Sequence, residues 1–362
     1  MLTAYSADKI FTGQEWINNS AVIIENNCIA DIITLTDLPA SIALIQHAPI
    51  IAPALIDIQI YGAASKLLSV DPSVDTLYKM KTYCNNGGAK YFLPTIATNT
   101  IDVFKKGIDA MHEYWKSGGE GIPGLHIEGP WLNKIKRGAH IENLIHAPEM
   151  EEVKELLEYG KGAIKMITLA PEVCSKEIID LIKSYDIIVS AGHSNAPYNV
   201  ANDFFKYIHR VTHLFNAMSS LHHREPGLPA AVMLHSEVMV SIVADGYHVD
   251  FAMIRLAKKL MGERLFLITD AVTETKEGPY PHELKGDKYE SNGILSGSAL
   301  TMMKAVKNCA EHCEIPLDEA LRMASLYPAK VLGIDHETGR IEKGYKADLL
   351  LMNEKFDVLD CI

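Results

Sequence analysis

The chain is expected to fold as an α/β protein, a (β/α)8 TIM barrel carrying a small β-sandwich domain built from both termini. Three observations carry that expectation. Apolar strand-like runs and amphipathic helical patterns alternate from about residue 53 to 337, with no Ser/Gly linker between them. Both ends of the chain read instead as short strands separated by turn formers. Polar side chains also recur where the apolar runs of the middle stop, and in a barrel the C-terminal ends of the strands are where chemistry is placed. A doubly wound open sheet is the alternative. The first strand of the middle is not followed by GxGxxG, which disfavours it.

Taken in order, residues 1–52 offer strands at Ile10-Phe11, Trp16-Ile17, 21–25 and 28–34, with the Asn26-Asn27 pair as turn former. Eight strands are then expected at 54–60, 90–95, 123–128, 163–169, 186–191, 210–214, 238–244 and 264–270. Each is short and mostly apolar, as suits a strand covered on both faces. Helical patterns lie between most of them, at 73–86, 102–116, 149–159, 174–184 and 250–261, and a further one at 298–326 follows the eighth strand. From Gly339 to Met352 the tail reads as a strand, a glycine turn and a fully apolar strand. Residues 1–52 with 338–362 are therefore assigned to the small β domain, and 53–337 to the barrel.

Composition narrows the function. With 362 residues, 48% hydrophobic and 22% charged, the chain can bury a sizeable core. A formal charge of −12 argues against nucleic acid or an acidic membrane as partner. No apolar run is long enough to span a bilayer, and the first residues lack the pattern of a secretory signal, so a cytoplasmic location is expected. The six cysteines form no CxxC and read as reduced thiols. Cys309 and Cys313 share a helix face beside His312, but two thiols and an adjacent imidazole do not complete a zinc site.

The strand ends, read in turn, present Gln59, Thr95, Glu128, His193, His213, Asp245 with His248 soon after, and Asp270. Singly, each has an ordinary explanation: a lone His at a strand end is usually structural, and an Asp before Ala271 is usually a helix cap. Jointly they are harder to dismiss. Glu128, His193 and His213 come from three strands around one rim, which suffices for three ligands of a divalent ion with a position left open. Asp270, from the last strand, would face that position. Past His213, the turn at Asn216, Ala217 and Met218 could aim backbone N–H groups at an anion, and the loop His222-His223-Arg224 adds a basic cluster whose guanidinium suits phosphate.

The motifs now stand in a recognisable order: His126-Ile-Glu128-Gly-Pro-Trp-Leu-Asn133, Lys136-Arg-Gly-Ala-His140, Gly192-His193-Ser194, Thr212-His213-Leu-Phe-Asn216-Ala-Met218, Arg224-Glu-Pro-Gly227, Ala244-Asp-Gly-Tyr-His248, Thr269-Asp270-Ala271 and Gly297-Ser-Ala-Leu-Thr301. The set resembles the N-acetylglucosamine-6-phosphate deacetylases, within the amidohydrolase superfamily, over nearly the whole chain. That resemblance implies hydrolysis of the acetamide of an amino-sugar 6-phosphate. It implies one divalent ion per subunit on Glu128, His193 and His213, zinc first, with Fe2+, Co2+ or Mn2+ as alternatives. Asp270 resembles the catalytic acid/base, and His248 the residue that binds substrate and polarises the acetyl carbonyl. His140, Asn216 and Ala217 resemble sugar and phosphate contacts. Arg224 resembles an arginine that reaches the phosphate in the neighbouring subunit, which implies a homodimer.

One departure stands out. Many amidohydrolases end their first strand in His-x-His and bind a second metal there; here the triplet is Gln59-Ile60-Tyr61, whose side chains are poor substitutes for imidazole. Rival readings are a deacetylase of the galactosamine epimer, an amidohydrolase acting on a cyclic amide or a D-amino-acid amide, or a metal-binding scaffold without catalysis. The retention of Asp270 beside the ligand set speaks against the last.

Overall fold

The computed structural model describes residues 2–276 and 278–362. The barrel is laid down from strand Leu55–Ile60, every residue of which is buried. Its pleat sorts side chains by face: Ile56, Ile58 and Ile60 enter the apolar core, whereas Asp57 and Gln59 meet polar groups of other barrel strands. Ala89–Ala97, Leu125–Glu128, Ile164–Leu169, Ile188–Ala191, Arg210–Val211, Met239–Val243 and Leu265–Ile268 follow in sheet order, all parallel. The ring closes between its first and last members. Ile60 bridges Ala271, and the Asp270 amide donates to the Gln59 carbonyl at 3.0 Å. This is the expected (β/α)8 barrel.

Helices Val74–Asn86, Ile101–Lys116, Met150–Tyr159, Lys176–Lys183 and Phe251–Met261 lie where the patterns placed them. Three start on a side-chain cap: Ser73 accepts from the Thr76 amide, Ser175 from Ile178 and Asp250 from Ala252. Several expectations need correction. The sixth strand, expected at 210–214, is only Arg210–Val211, because His213, Phe215 and Ala217 take φ of 39°, 76° and 45°, which no strand accommodates. The stretch 298–326 is not one helix. It begins at the end of strand Ile294–Ser298 and continues as helices Met302–His312 and Leu317–Ala324, parted at Pro316; Leu326–Leu332 follows. Helices Tyr198–Phe204 and Gly227–Leu234 were not anticipated.

The small β domain built from both termini is a six-stranded sheet in the order Val358–Cys361, Leu349–Met352, Ala43–Pro53, Thr3–Phe11, Trp16–Glu25, Cys28–Thr34. Period-two alternation splits its faces. Ile51, Leu349 and Leu351 join the domain's own core with Ile10, Val22 and Ile29, while Ile50, Ala52, Leu350 and Met352 join the barrel core. Asn26 and Asn27, at φ of 51° and 61°, form the expected turn. The strand expected at the start of the 339–352 tail is absent among the described residues. Gly339 and Gly344, at φ of 84° and 89°, bend that segment, and its amides go to Thr12 and Ile29 carbonyls instead.

Candidate active site

The barrel rim brings the sequence-picked residues together through a common local device. Glu128 ends its strand, and Gly129 at φ 83° turns the chain away. His193, His213 and Asp270 each sit just past a strand end at φ of 49°, 39° and 53°, left-handed values that cost a non-glycine residue about 1–3 kcal/mol. Specific bonds hold them there. The Asn133 amide donates to the His193 carbonyl at 3.0 Å, the His213 amide donates to Ser241 Oγ at 2.8 Å, and the Asp270 amide is held by Gln59.

Glu128 Oε1 lies 3.4 Å from His193 Nε2 and 3.2 Å from His213 Nε2, and the two Nε2 atoms are 3.1 Å apart. All three side chains are buried. His193 Nδ1 donates to the Lys136 carbonyl at 2.8 Å, which leaves the Nε2 lone pair facing its neighbours. Two imidazole nitrogens and a carboxylate oxygen at such separations need a proton or a cation among them. Burial pushes the His193 imidazole below its ordinary value; His213 is buried too, but its hydrogen bond and charge attraction to Glu128 outweigh that and hold it above. Burial alone would raise Glu128, yet the surrounding imidazoles hold its carboxyl well below the usual range. Two nitrogens and an ionised carboxylate are a fitting donor set for zinc or a similar divalent ion.

The neighbours of this cluster are equally constrained. Asp270 Oδ1 accepts from Gln59 Nε2 at 2.8 Å, and burial, aided by the charge of Glu128, raises the Asp270 carboxyl against the opposing pull of His213 and His248. A carboxyl so raised can both take and return a proton. Asp245 Oδ1 accepts the Tyr247 and His248 amides at 2.9 and 2.8 Å, and its Oδ2 accepts from His248 Nδ1 at 2.6 Å. That arrangement turns His248 Nε2 outward as the free ring nitrogen. Glu128, His193, His213, His248 and Asp270 all border one cavity of about 210 Å3, with His140, Asn216 and Ala217 also on its wall.

Two of the expected substrate contacts, His140 and Arg224, have surroundings of their own. The Thr98 amide donates to His140 Nδ1 at 3.3 Å, so Nε2 carries the proton and donates to Glu128 Oε2 at 3.2 Å. Both ring nitrogens are thus engaged with protein. Arg224 is exposed and borders a neighbouring depression with Lys136, Tyr198 and Ser220, outside the cavity of its own chain. Asn216 and Ala217 lie on a turn whose alternating backbone hand suits anion binding.

Sequence reading missed several contributors. Tyr61 donates its hydroxyl to Glu128 Oε2 and borders the cavity. Below the rim, His126 Nε2 accepts from Thr168 Oγ1 at 2.8 Å, and hydroxyls of Thr212 and Ser190 continue the chain at 2.8 and 2.6 Å. Glu172 Oε1 accepts Asn133 Nδ2 and the Asn195 amide at 2.9 and 2.7 Å, and Oε2 accepts Ser194 Oγ at 2.7 Å, which braces both flanks of His193. A three-stranded antiparallel sheet, Glu283–Lys285, Lys288–Ser291 and Ile294–Ser298, follows the eighth strand, and His282, Leu295 and Ser296 from this insertion border the cavity. The Asn292-Gly293 pair, at φ of 52° and 79°, was a readable hairpin signal for it.

Comparison with known proteins accords with this geometry. The Amidohydrolase family profile matches residues 50–361, and that of the NagA composite domain matches residues 6–48. The chain is 34% identical to the N-acetylglucosamine-6-phosphate deacetylase of Haemophilus influenzae, over 98% of this chain and 96% of that protein. It is 28% identical to the N-acetylgalactosamine-6-phosphate deacetylase of Escherichia coli O157:H7, over 97% and 95% of the two. The crystal structure of N-acetylglucosamine-6-phosphate deacetylase from Pasteurella multocida superposes with a TM-score of 0.94 at 34% identity, covering 100% of this chain and 98% of that one.

Proposed function

The chain belongs to the amidohydrolase family, and from that premise we propose that it hydrolyses the acetamide of N-acetyl-D-glucosamine 6-phosphate to D-glucosamine 6-phosphate and acetate. The observation that carries this reading is the meeting of Glu128, His193 and His213 around one point, with Asp270 and His248 bordering the same cavity. The first three side chains would hold a divalent ion, zinc by preference, whose chemistry when bound is to lower the pKa of water to about 7 and to polarise a carbonyl. Asp270 accepts the proton of the attacking water and returns it to the departing nitrogen, a role its burial-raised carboxyl suits. His248, whose Nδ1–H is held by Asp245, would act through Nε2: in the doubly protonated ring that nitrogen donates to the oxygen that gains charge as the acetyl carbon becomes tetrahedral, a contribution of about 3 kcal/mol for one well-placed donor.

The phosphate supplies remote binding energy that orients the acetamide. Ala217 receives it through its backbone N–H and Asn216 through its side-chain amide, the Asn216 N–H being spent on the His213 carbonyl, and Arg224 of a neighbouring subunit completes the grip, so the working unit is a homodimer. Its position outside its own cavity supports that assignment. His140, engaged with Glu128, shapes the carboxylate and the cavity wall together. Residues 53–337 form the catalytic barrel and 1–52 with 338–362 the small domain. No helix among the described residues is long and apolar enough to cross a membrane, which fits action on a soluble sugar phosphate in the cytoplasm.

The relative that bears the galactosamine name keeps the epimer as a second reading, since the two sugars differ in one hydroxyl direction. Acetate release from N-acetylglucosamine 6-phosphate, with and without a chelator, tests the proposal, and the galactosamine epimer run in parallel ranks the two sugars. Release that chelation abolishes and zinc restores is the expected result. Absence of release, or release indifferent to chelation, overturns the reading.

A further inference from the structure

Where the first strand ends, the chain has Gln59-Ile60-Tyr61 in place of two imidazoles, and the structure shows what stands there instead. Tyr61 is 8% exposed, its ring packed with Leu67, Ala97, Val272 and Tyr280. Its hydroxyl donates to Glu128 Oε2 and accepts from Gln59 Nε2 at 2.7 Å. His140 Nε2 brings a second donor to the same carboxylate oxygen at 3.2 Å. Glu128 is thereby divided: Oε2 takes two protein donors, Tyr61 and His140, whereas Oε1, within 3.1 Å of Gln59 Nε2, is the oxygen that faces the His193 and His213 nitrogens. Gln59 contributes to the same end. Carboxylate oxygens of Asp270 and Glu128, at 2.8 and 3.1 Å, surround its amide nitrogen, so this side of the site presents N–H groups where a cation would need lone pairs.

We propose that Tyr61 is a positioning residue that fixes Glu128 as a one-oxygen ligand and, with Gln59, closes the place of a second cation. The proposal rests on the metal reading above. Its chemistry is that of an outer contact on a metal ligand: a carboxylate held in one orientation before the ion arrives holds it more tightly, and so releases it more slowly, than one free to rotate. The wall that Tyr61 forms with Leu67, Ala97 and Tyr280 also keeps the Oε2 side of the carboxylate away from water.

The test is the metal itself, read independently of turnover. Native protein is loaded with zinc, desalted, and assayed for ions per chain and for the rate of zinc transfer to a competing chelator. Tyr61→Phe keeps the ring and removes the donor. The expected results are one ion per chain in the native protein, and one ion in Tyr61→Phe that leaves about 10–100-fold faster. Gln59→His combined with Tyr61→His, folded by circular dichroism, is expected to hold two. Two ions in the native chain, or a Tyr61→Phe release rate equal to native, overturns the proposal. One ion in the folded double variant overturns the closing role. If the double variant does not fold, the Tyr61→Phe rate decides alone. A native chain that retains no ion overturns the metal reading beneath it, an outcome separate from the others.

Discussion

Four residues that line the cavity hold left-handed backbone without being glycine, His193, His213, Ala217 and Asp270, and the two histidines and the aspartate do so two residues past a strand end. The conformation turns a side chain that would continue the strand's alternation toward the barrel axis, and the surrounding bonds hold it there. The same economy appears in Asp245, which holds the Tyr247 and His248 amides with one oxygen and the His248 ring with the other. At this scale the clearest prediction concerns Asp270. Asp270→Asn retains the Gln59 contact through its carbonyl oxygen and leaves the three candidate ligands untouched. It should bind zinc and sugar phosphate as the native protein does and lose kcat by about 10²–10⁴-fold. Zinc content, equilibrium binding and turnover, measured on one preparation, check it; near-native kcat would remove Asp270 from the proton-transfer role.

Elements, rather than residues, decide how rigid the candidate ligands are. The loop Gly192–Ser194 leaves its strand unsupported by a helix until Tyr198, and Glu172, from the short helical turn Pro171–Val173 after the preceding strand, supplies the missing support. Glu172→Ala should therefore weaken zinc binding by about 10–100-fold while leaving kcat at saturating zinc close to native. A titration of activity against free zinc separates the two quantities, and a kcat deficit that excess zinc does not repair would contradict the bracing role. The insertion at 282–298 illustrates the converse case. Its hairpin was readable from Asn292-Gly293, but that it folds over the cavity and delivers His282 and Ser296 was not, because nothing local to a hairpin says which face of the molecule it covers.

For the whole molecule, the polar lining of the barrel couples stability to pH. Asp57 is buried beneath the rim; burial raises its carboxyl from 3.8 to about 7, against hydrogen bonds from Thr269 and the Gln59 amide that favour the ionised form. Between those two values the folded chain keeps a proton that the unfolded chain has lost, so stability falls as pH rises across the window, by about 4 kcal/mol in all. Asp57→Asn cannot ionise. It should flatten the dependence of denaturation midpoint on pH between 4 and 7 and exceed the native protein in stability above pH 7; an unchanged slope would assign the effect elsewhere. Assembly makes a second prediction at this scale. If Arg224 serves a neighbouring cavity, chains carrying Arg224→Ala and chains carrying Asp270→Asn, mixed and allowed to exchange subunits, should regain activity at low substrate that neither has alone. No recovery, with exchange verified by mass, would return Arg224 to its own chain.

The residue order alone was enough to determine the class of fold and the residue types that gather at the barrel rim. Alternating apolar strands and amphipathic helices call for a sheet covered on both faces, eight of them without GxGxxG favour the barrel over the doubly wound sheet, and Glu128, His193, His213 and Asp270 are legible because their types recur at the ends of those strands. Tertiary structure decided the rest. That Tyr61 touches Glu128, that His140 spends both nitrogens within the protein and that Glu172 steadies His193 are contacts between residues 12 to 67 apart in the chain. Periodicity reports which face a side chain takes, whereas its partner depends on register, twist and loop closure across the whole ring, and those exist only once the chain has folded.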